Sequence, residues 1–255
     1  MTEATAIEKI EDLITQSNTQ DGAPEPVKLF PLDQSEFEVA IQTSSLTLWH
    51  KLRRPTLAEL IERDQQTPYE TEEVSSGEDR LNVDDEGPNA KLWDKIAVGI
   101  KGYRGQGLIA NAWYAPNSDI AALIPAGHKS AAVRGLYNTQ FEVEQEEGEG
   151  FALGGGVFTV KQTFGDYTIR HTFRAPTEGE RRDFRRKANE TRFARGSRKI
   201  KTKVLTNIKA YVELYDKLIE NVEGVTGGGA AQIDPVWKRG AVDCLMRSFE
   251  ASLSD

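Results

Sequence analysis

Three histidines, one cysteine and a short Gly-His-Lys-Ser phrase are the residues of this chain whose types suit catalysis, metal binding or phosphate contact. His50, His128 and His171 stand far apart and show neither H-x-x-x-H nor H-E-x-x-H spacing, so the sequence lacks that zinc signature. Cys244 has no second cysteine to pair with, which excludes an internal disulfide and a cysteine-based zinc site; among Val242, Leu245 and Met246 it reads as a buried thiol without a chemical role. Gly127-His128-Lys129-Ser130 lacks the glycine directly before lysine that a phosphate loop needs, and its later counterpart, Val236-Trp237-Lys238-Arg239, loses the rest of the phrase. The run EQEEGEG at 144–150 offers carboxylates on a polar, glycine-containing stretch, where they stay solvated instead of being held with separated pKa values. The expectation is a chain that is not an enzyme, with no catalytic, cofactor-binding or metal site.

The elements around these residues repeat. TLWHKLRRPTLAEL at 47–60 faces TIRHTFRAPTEGER at 168–181, with Thr47/Thr168, His50/His171, Arg53/Arg174, Pro55/Pro176, Thr56/Thr177 and Glu59/Glu180 identical at one offset. LWDKIAVGIKG at 92–102 falls on LYDKLIENVEG at 214–224. A third block sets Ile124, Lys129, Ala132, Val133 and Leu136 against Ile233, Lys238, Ala241, Val242 and Leu245. Three blocks in one order predict an α+β tandem duplication, each copy a β-hairpin followed by about three helices, with a charged insert. The expected organisation is an N-terminal helix and linker at 1–33, copy one at 34–139, a Glu/Gly linker at 140–154 and copy two at 155–255.

Phe37, Val39 and Ile41, then Leu46, Leu48, His50 and Leu52, alternate as strands with one buried face; Phe158, Val160, Ile169, His171 and Phe173 repeat the pattern. The parity of His50 and His171 makes them hydrogen-bonded core or interface histidines. Trp49 falls on the face opposite Leu48 and Leu52, and Arg170 is its counterpart, which marks either a surface specialised between the copies or a second buried face. Pro-Thr-x-x-Glu after each hairpin reads as a proline that stops the strand and a capping box that starts a helix. Leu92, Ile96 and Ile100 recur every four residues, and Val204, Ile208, Tyr211, Tyr215, Leu218 and Val222 make the matching stripe, predicting helices that end at Gly102 and Gly224. Asp234 and Pro235 open the last helix as cap and first residue. Ile7, Ile10, Leu13 and Ile14 predict a short amphipathic helix over 5–15, followed by a polar linker at 16–26.

The copies part company in charge. Residues 60–89 hold ten acidic and two basic residues, net −8, while residues 181–203 hold eleven basic and two acidic residues, net +9. Segregation on this scale in a chain of net charge −8 points to a partner. The candidate partner-binding residues are Arg181, Arg182, Arg185, Arg186, Arg192, Arg195, Arg198, Lys199, Lys201 and Lys203 on the basic side, with Glu70, Glu72, Glu73, Asp84, Asp85 and Glu86 on the acidic side. Three readings stand side by side: a solvated face; phosphate contact with nucleic acid, with Phe184 and Phe193 for stacking; and pairing of the basic with the acidic insert, within the chain or on the next molecule. A contact between copy one of one molecule and copy two of the next is heterologous and builds rings or filaments.

The 255 residues have the apolar content of a folded globular protein, and no apolar run reaches the roughly 20 residues a membrane helix requires. The acidic opening, MTEATAIEKIEDLITQ, is unlike a secretory signal, so a cytoplasmic or particle-borne protein without membrane partners is expected.

Leu52-Arg53-Arg54-Pro55-Thr56, Ile100-Lys101-Gly102 and Ile233-Asp234-Pro235 resemble phrases of the tail-assembly chaperones and related small morphogenesis proteins of tailed bacteriophages. In that group a β-hairpin ending in a Leu-Arg-x-Pro-Thr-like phrase precedes a helix, a later helix ends at glycine, and a helix with an acidic start follows. This chain departs from the pattern in its duplication and its long charged inserts. The resemblance implies a non-enzymatic structural or assembly protein of a phage or phage-derived particle, located in the host cytoplasm or the virion, whose partners are itself or other particle components. The alternative is a nucleic-acid-binding accessory protein using residues 181–203.

Overall fold

The computed structural model of the chain describes residues 28–67, 69–73, 79–83, 85–105, 107–144, 156–193 and 202–251. A short strand β1 (Phe30–Pro31) leads into an antiparallel hairpin, β2 (Glu36–Gln42) and β3 (Thr47–Arg53), which pairs Val39 with His50 and Phe37 with Leu52. Side chains alternate across a pleated strand, so Phe37, Val39, Leu48, His50 and Leu52 all point to one buried face. Pro55 ends the hairpin. Thr56 then caps α1 (Leu57–Gln65): its side chain accepts from the Glu59 N–H, and the Glu59 carboxylate reaches back to the Thr56 N–H at 2.9 Å.

The acidic insert follows as a second hairpin, β4 (Tyr69–Glu73) and β5 (Asp79–Val83). Helix α2 (Glu86–Ile96) runs directly into β6 (Ala97–Lys101), which pairs with β3 to complete the sheet β2-β3-β6. A short helix α3 (Ser118–Leu123), capped by the Asn117 side chain, precedes α4 (Ala126–Leu136), which packs on α2 and under β2. Strand β7 (Gln140–Glu144) crosses to the second half.

The second half runs in the same order through its long helix and the strand that follows it. Strands β8 (Val157–Phe164) and β9 (Tyr167–Arg174) form a hairpin, and α5 (Glu178–Ala188) follows the second Pro-Thr-x-x-Glu. The basic insert supplies β10 (Asn189–Phe193) and β11 (Thr202–Thr206). Helix α6 (Ile208–Leu218) runs into β12 (Ile219–Glu223), then β13 (Val225–Thr226) and α7 (Pro235–Ala251). The sheet here is β12-β9-β8-β7, because β7 adds to the outer edge of β8. The α+β class follows directly.

One continuous apolar core joins the halves. Phe30 sits at its centre, stacked 6.2 Å from Phe37 of the first half and edge-on to Tyr167 and Trp237 of the second at 5.2 and 4.9 Å. Its strand β1 pairs in parallel with β13, and the Phe30 N–H donates to the Gly224 carbonyl at 2.8 Å.

Several expectations change. The helix expected through Ile100 stops at Ile96, since Ala97–Lys101 is recruited as the third strand against β3; Val204 and Val222 likewise belong to β11 and β12. Gly102 and Gly224 adopt left-handed φ of 99° and 81°, but after strands instead of helices. Leu46 lies in the turn and is 60% exposed, and Cys244 is half-buried, packed at the margin of the core. Residues 140–144, read as the start of a linker, are β7. Residues 5–15, 16–26 and 145–150 lie outside the described residues.

Candidate functional site

The charged inserts meet. They form one four-stranded antiparallel sheet in the order β10-β11-β4-β5, in which the basic hairpin lies beside the acidic one. Its central seam sets Thr202 opposite Thr71, Lys203 opposite Glu70 and Val204 opposite Tyr69. The local signal for these strands is weak, because polar, charged stretches bounded by glycine and serine read as loops. Pairing with distant strands makes them a sheet.

The sixteen candidate partner-binding residues therefore divide by element. Arg192, Lys203, Glu70, Glu72 and Glu73 are in the four-stranded sheet. Arg181, Arg182, Arg185 and Arg186 belong to α5, where Arg182, Arg185 and Arg186 are exposed. Arg181 contacts Glu178 at 2.6 Å and lies over the Phe249 ring at 5.4 Å, while Arg186 meets Asp183 at 3.1 Å. Asp85 engages Arg134 and the Asn89 amide of its own half, and the Arg134 guanidinium holds its carboxyl below the usual range; Glu86 is exposed at the start of α2. Asp84, Arg195, Arg198, Lys199 and Lys201 lie outside the described residues.

The supports of the two hairpins are alike in detail. Arg53 forks onto Glu59 at 3.0 and 2.6 Å and Arg174 onto Glu180 at 2.9 and 2.7 Å; each guanidinium also donates to a carbonyl of the long helix, Lys95 or Lys217. The paired arginine holds the Glu59 carboxyl at about 2, and Glu180 is lowered for the same reason. Lys129 reaches Asp94 at 2.6 Å beneath the Trp93 ring, and Lys238 reaches Asp216 at 2.5 Å beneath Tyr215. Lys129 of the Gly-His-Lys-Ser phrase is thus tied down inside α4, and its neighbour Ser130 accepts from Asn89.

Both strand histidines are fully buried. Trp93 Nε1–H donates to His50 Nδ1 at 3.0 Å, which places the His50 proton on Nε2, facing the Tyr103 hydroxyl at 3.1 Å; that hydroxyl in turn lies 3.2 Å from His128 Nδ1. His171 holds the Gln162 side-chain oxygen at 2.8 Å through Nε2–H and takes the Tyr215 hydroxyl on Nδ1 at 2.8 Å. Desolvation lowers His50 to about 4 and His171 to about 3. Tyr103 carries no signal in the sequence, because it lies just past the matching blocks 92–102 and 214–224, where the other half has Val225.

The halves are also joined by charge. Arg54 of the first hairpin donates to the Leu32 and Gln232 carbonyls and faces Asp234 at 4.0 Å. Burial pushes the Asp234 carboxyl up to about 6, against the opposing pull of the Val236 N–H and Arg54. Tyr137 Oη and Trp237 Nε1 are buried with no hydrogen-bond partner among the described residues, and both residues line the same small space as Arg54 and Asp234. Asp64, on α1, is buried between Arg63 at 2.9 Å and Arg239 of α7 at 3.7 Å. A cleft of about 290 Å³ between the halves is lined by Arg63, Arg134 and Arg239, whose charges Asp64 and Asp85 offset.

No group of three or more His, Cys, Asp or Glu suited to a metal ion occurs among the described residues, and no described helix is long and apolar enough to cross a membrane. The chain matches no family model, no curated protein and no solved structure.

Proposed function

We propose that this chain is a non-enzymatic structural or assembly protein of a tailed-phage or phage-derived particle, built by duplication of one unit and binding protein partners through its charged hairpins. The single observation that carries the reading is the mixed sheet: the two segments that differ most between the halves, one acidic and one basic, are joined edge to edge. Duplication is supported by the shared element order and by the paired Arg–Glu, Lys–Asp and histidine contacts. A binding role is favoured because each buried histidine is committed to hydrogen bonds in its own half and pushed to its neutral form. The place of action under this reading is the host cytoplasm or the particle.

A second reading draws on the exposed arginines of α5: a nucleic-acid-binding accessory protein using 181–203. The test replaces Arg185, Arg186, Arg195 and Arg198 together with glutamine. Loss of incorporation into particles, with no oligonucleotide binding by the unmodified chain at moderate salt, supports assembly. Tight oligonucleotide binding that weakens steeply with salt replaces it with the second reading.

A further inference from the structure

The sheet of charged hairpins obeys a pairing rule that its own two edges are able to repeat. Inside the molecule, the second strand of one hairpin, β11, lies against the first strand of the other, β4. The outer strands that remain are β5, the second strand of the acidic hairpin, and β10, the first strand of the basic one. No described strand pairs with the outer side of either.

From this juxtaposition we infer that β5 of one molecule pairs antiparallel with β10 of a second copy of this chain, extending the four-stranded sheet from subunit to subunit. The inference names a partner for the assembly role proposed above and rests on that reading.

Geometry and charge select this pairing over the alternatives. Strand directions alternate along β10-β11-β4-β5, so a following β10 continues the alternation without a break. Strands β4 and β5 carry four acidic residues and one arginine, and strands β10 and β11 carry two basic residues and one glutamate. The extended sheet therefore alternates acidic and basic hairpins, and every hairpin has neighbours of opposite charge. Self-pairing of β5 with β5, or of β10 with β10, breaks the rule that a second strand meets a first, and sets hairpins of like net charge side by side. Neither edge carries a proline or a lysine, and each holds one acidic and one basic residue: β5 reads DRLNV and β10 reads NETRF. A contact between unlike surfaces is heterologous, so its products are rings or filaments in place of closed dimers.

The test measures mass by light scattering across protein concentration at low and high salt, with proline placed in each edge. N–H groups of adjacent residues point to opposite sides of a strand, so of Leu81→Pro and Asn82→Pro one strikes the outer side of β5; Thr191→Pro and Arg192→Pro serve β10 in the same way. Circular dichroism and the melting temperature identify in each pair the variant that keeps the native fold. The unmodified chain is expected to grow beyond dimer at low salt, with an assembly midpoint moving to about tenfold higher concentration at high salt as screening shortens the reach of the hairpin charges. Each folded edge variant alone should be monomeric. A mixture of a β5 variant with a β10 variant should stop at dimer, since one good interface survives. A closed dimer of the unmodified chain, edge variants that still assemble, or a mixture that stays monomeric each overturns the inference. An unmodified chain that remains monomeric overturns self-pairing alone and leaves the assembly role to other partners, whereas salt-sensitive oligonucleotide binding by that monomer overturns the role itself.

Discussion

Trp93 donates its indole N–H to Nδ1 of His50 across 3.0 Å, and at the matching place in the second half Tyr215 brings a hydroxyl to Nδ1 of His171 at 2.8 Å. Two different aromatic residues on α2 and α6 thus satisfy the same buried acceptor on the central strand. Removing only the donor leaves that nitrogen desolvated and unpaired, which costs about 1–3 kcal/mol. Tyr215→Phe, which preserves the ring that packs on Phe173, is expected to lower unfolding free energy by that amount in urea. An unchanged midpoint would show that the hydrogen bond contributes nothing.

Acid should destabilise the protein through these histidines. In the folded chain His50 lies at about 4 and His171 at about 3, whereas an unfolded histidine titrates near about 6.5. Because the folded values are depressed, the stability they contribute is complete above about 6.5 and is lost as pH falls toward about 4 and then 3. For His50 the full loss is on the order of 3 kcal/mol. Melting temperature measured from pH 7 to 4 should fall steeply, and His50→Gln should flatten that fall even though it is less stable at pH 7. NMR titration of either imidazole near its ordinary value would contradict the burial argument.

Asp234 works in the opposite sense. Its folded value is about 6, above the unfolded value of about 3.9, so its contribution is greatest below about 4 and declines as pH rises through 6. Asparagine caps helices as well as aspartate and carries no charge to bury. Asp234→Asn is therefore expected to be neutral or stabilising by about 1 kcal/mol at pH 7, and to remove that part of the pH dependence between 4 and 6. A loss of more than about 2 kcal/mol at pH 7 would mean that the charge facing Arg54 outweighs its desolvation.

The two glycines that close the third strands differ in tolerance. A Cβ on Gly224 would sit 2.1 Å from the Thr168 carbonyl oxygen, while one on Gly102 would lie 3.0 Å from the Thr47 oxygen. Both positions have positive φ, so alanine costs about 1–2 kcal/mol at each from backbone strain alone. Gly224→Ala adds a backbone clash and should be the more destabilising of the two in thermal melts. It should also weaken the join between the halves, because the Gly224 carbonyl accepts from Phe30.

Local chemistry was legible in the sequence where each feature depends on neighbours only a few residues away. Phe37, Val39, Leu48 and Leu52 betray their shared face through strand periodicity, and Thr56 with Glu59 encodes a helix start within four residues. The parity of His50 and His171 placed them with the core for the same reason. The spacing of Leu92, Ile96 and Ile100 misled because every fourth position suits a helix, while the switch to strand after Ile96 depends on β3, some forty residues earlier.

The leading hairpin of each half, the Pro-Thr-x-x-Glu helix starts and the division of charge belong to the sequence alone, since periodicity, capping and ionisable side chains act at short range or by simple count. The meeting of the charged hairpins was written there only as one of three alternatives. Tertiary structure decided that Lys203 faces Glu70, that Tyr103 joins His50 to His128 and that Phe30 seats itself between the halves. Each of these joins groups distant along the chain, and only the geometry of the folded core and sheets determines which of many possible partners comes within hydrogen-bonding or packing distance.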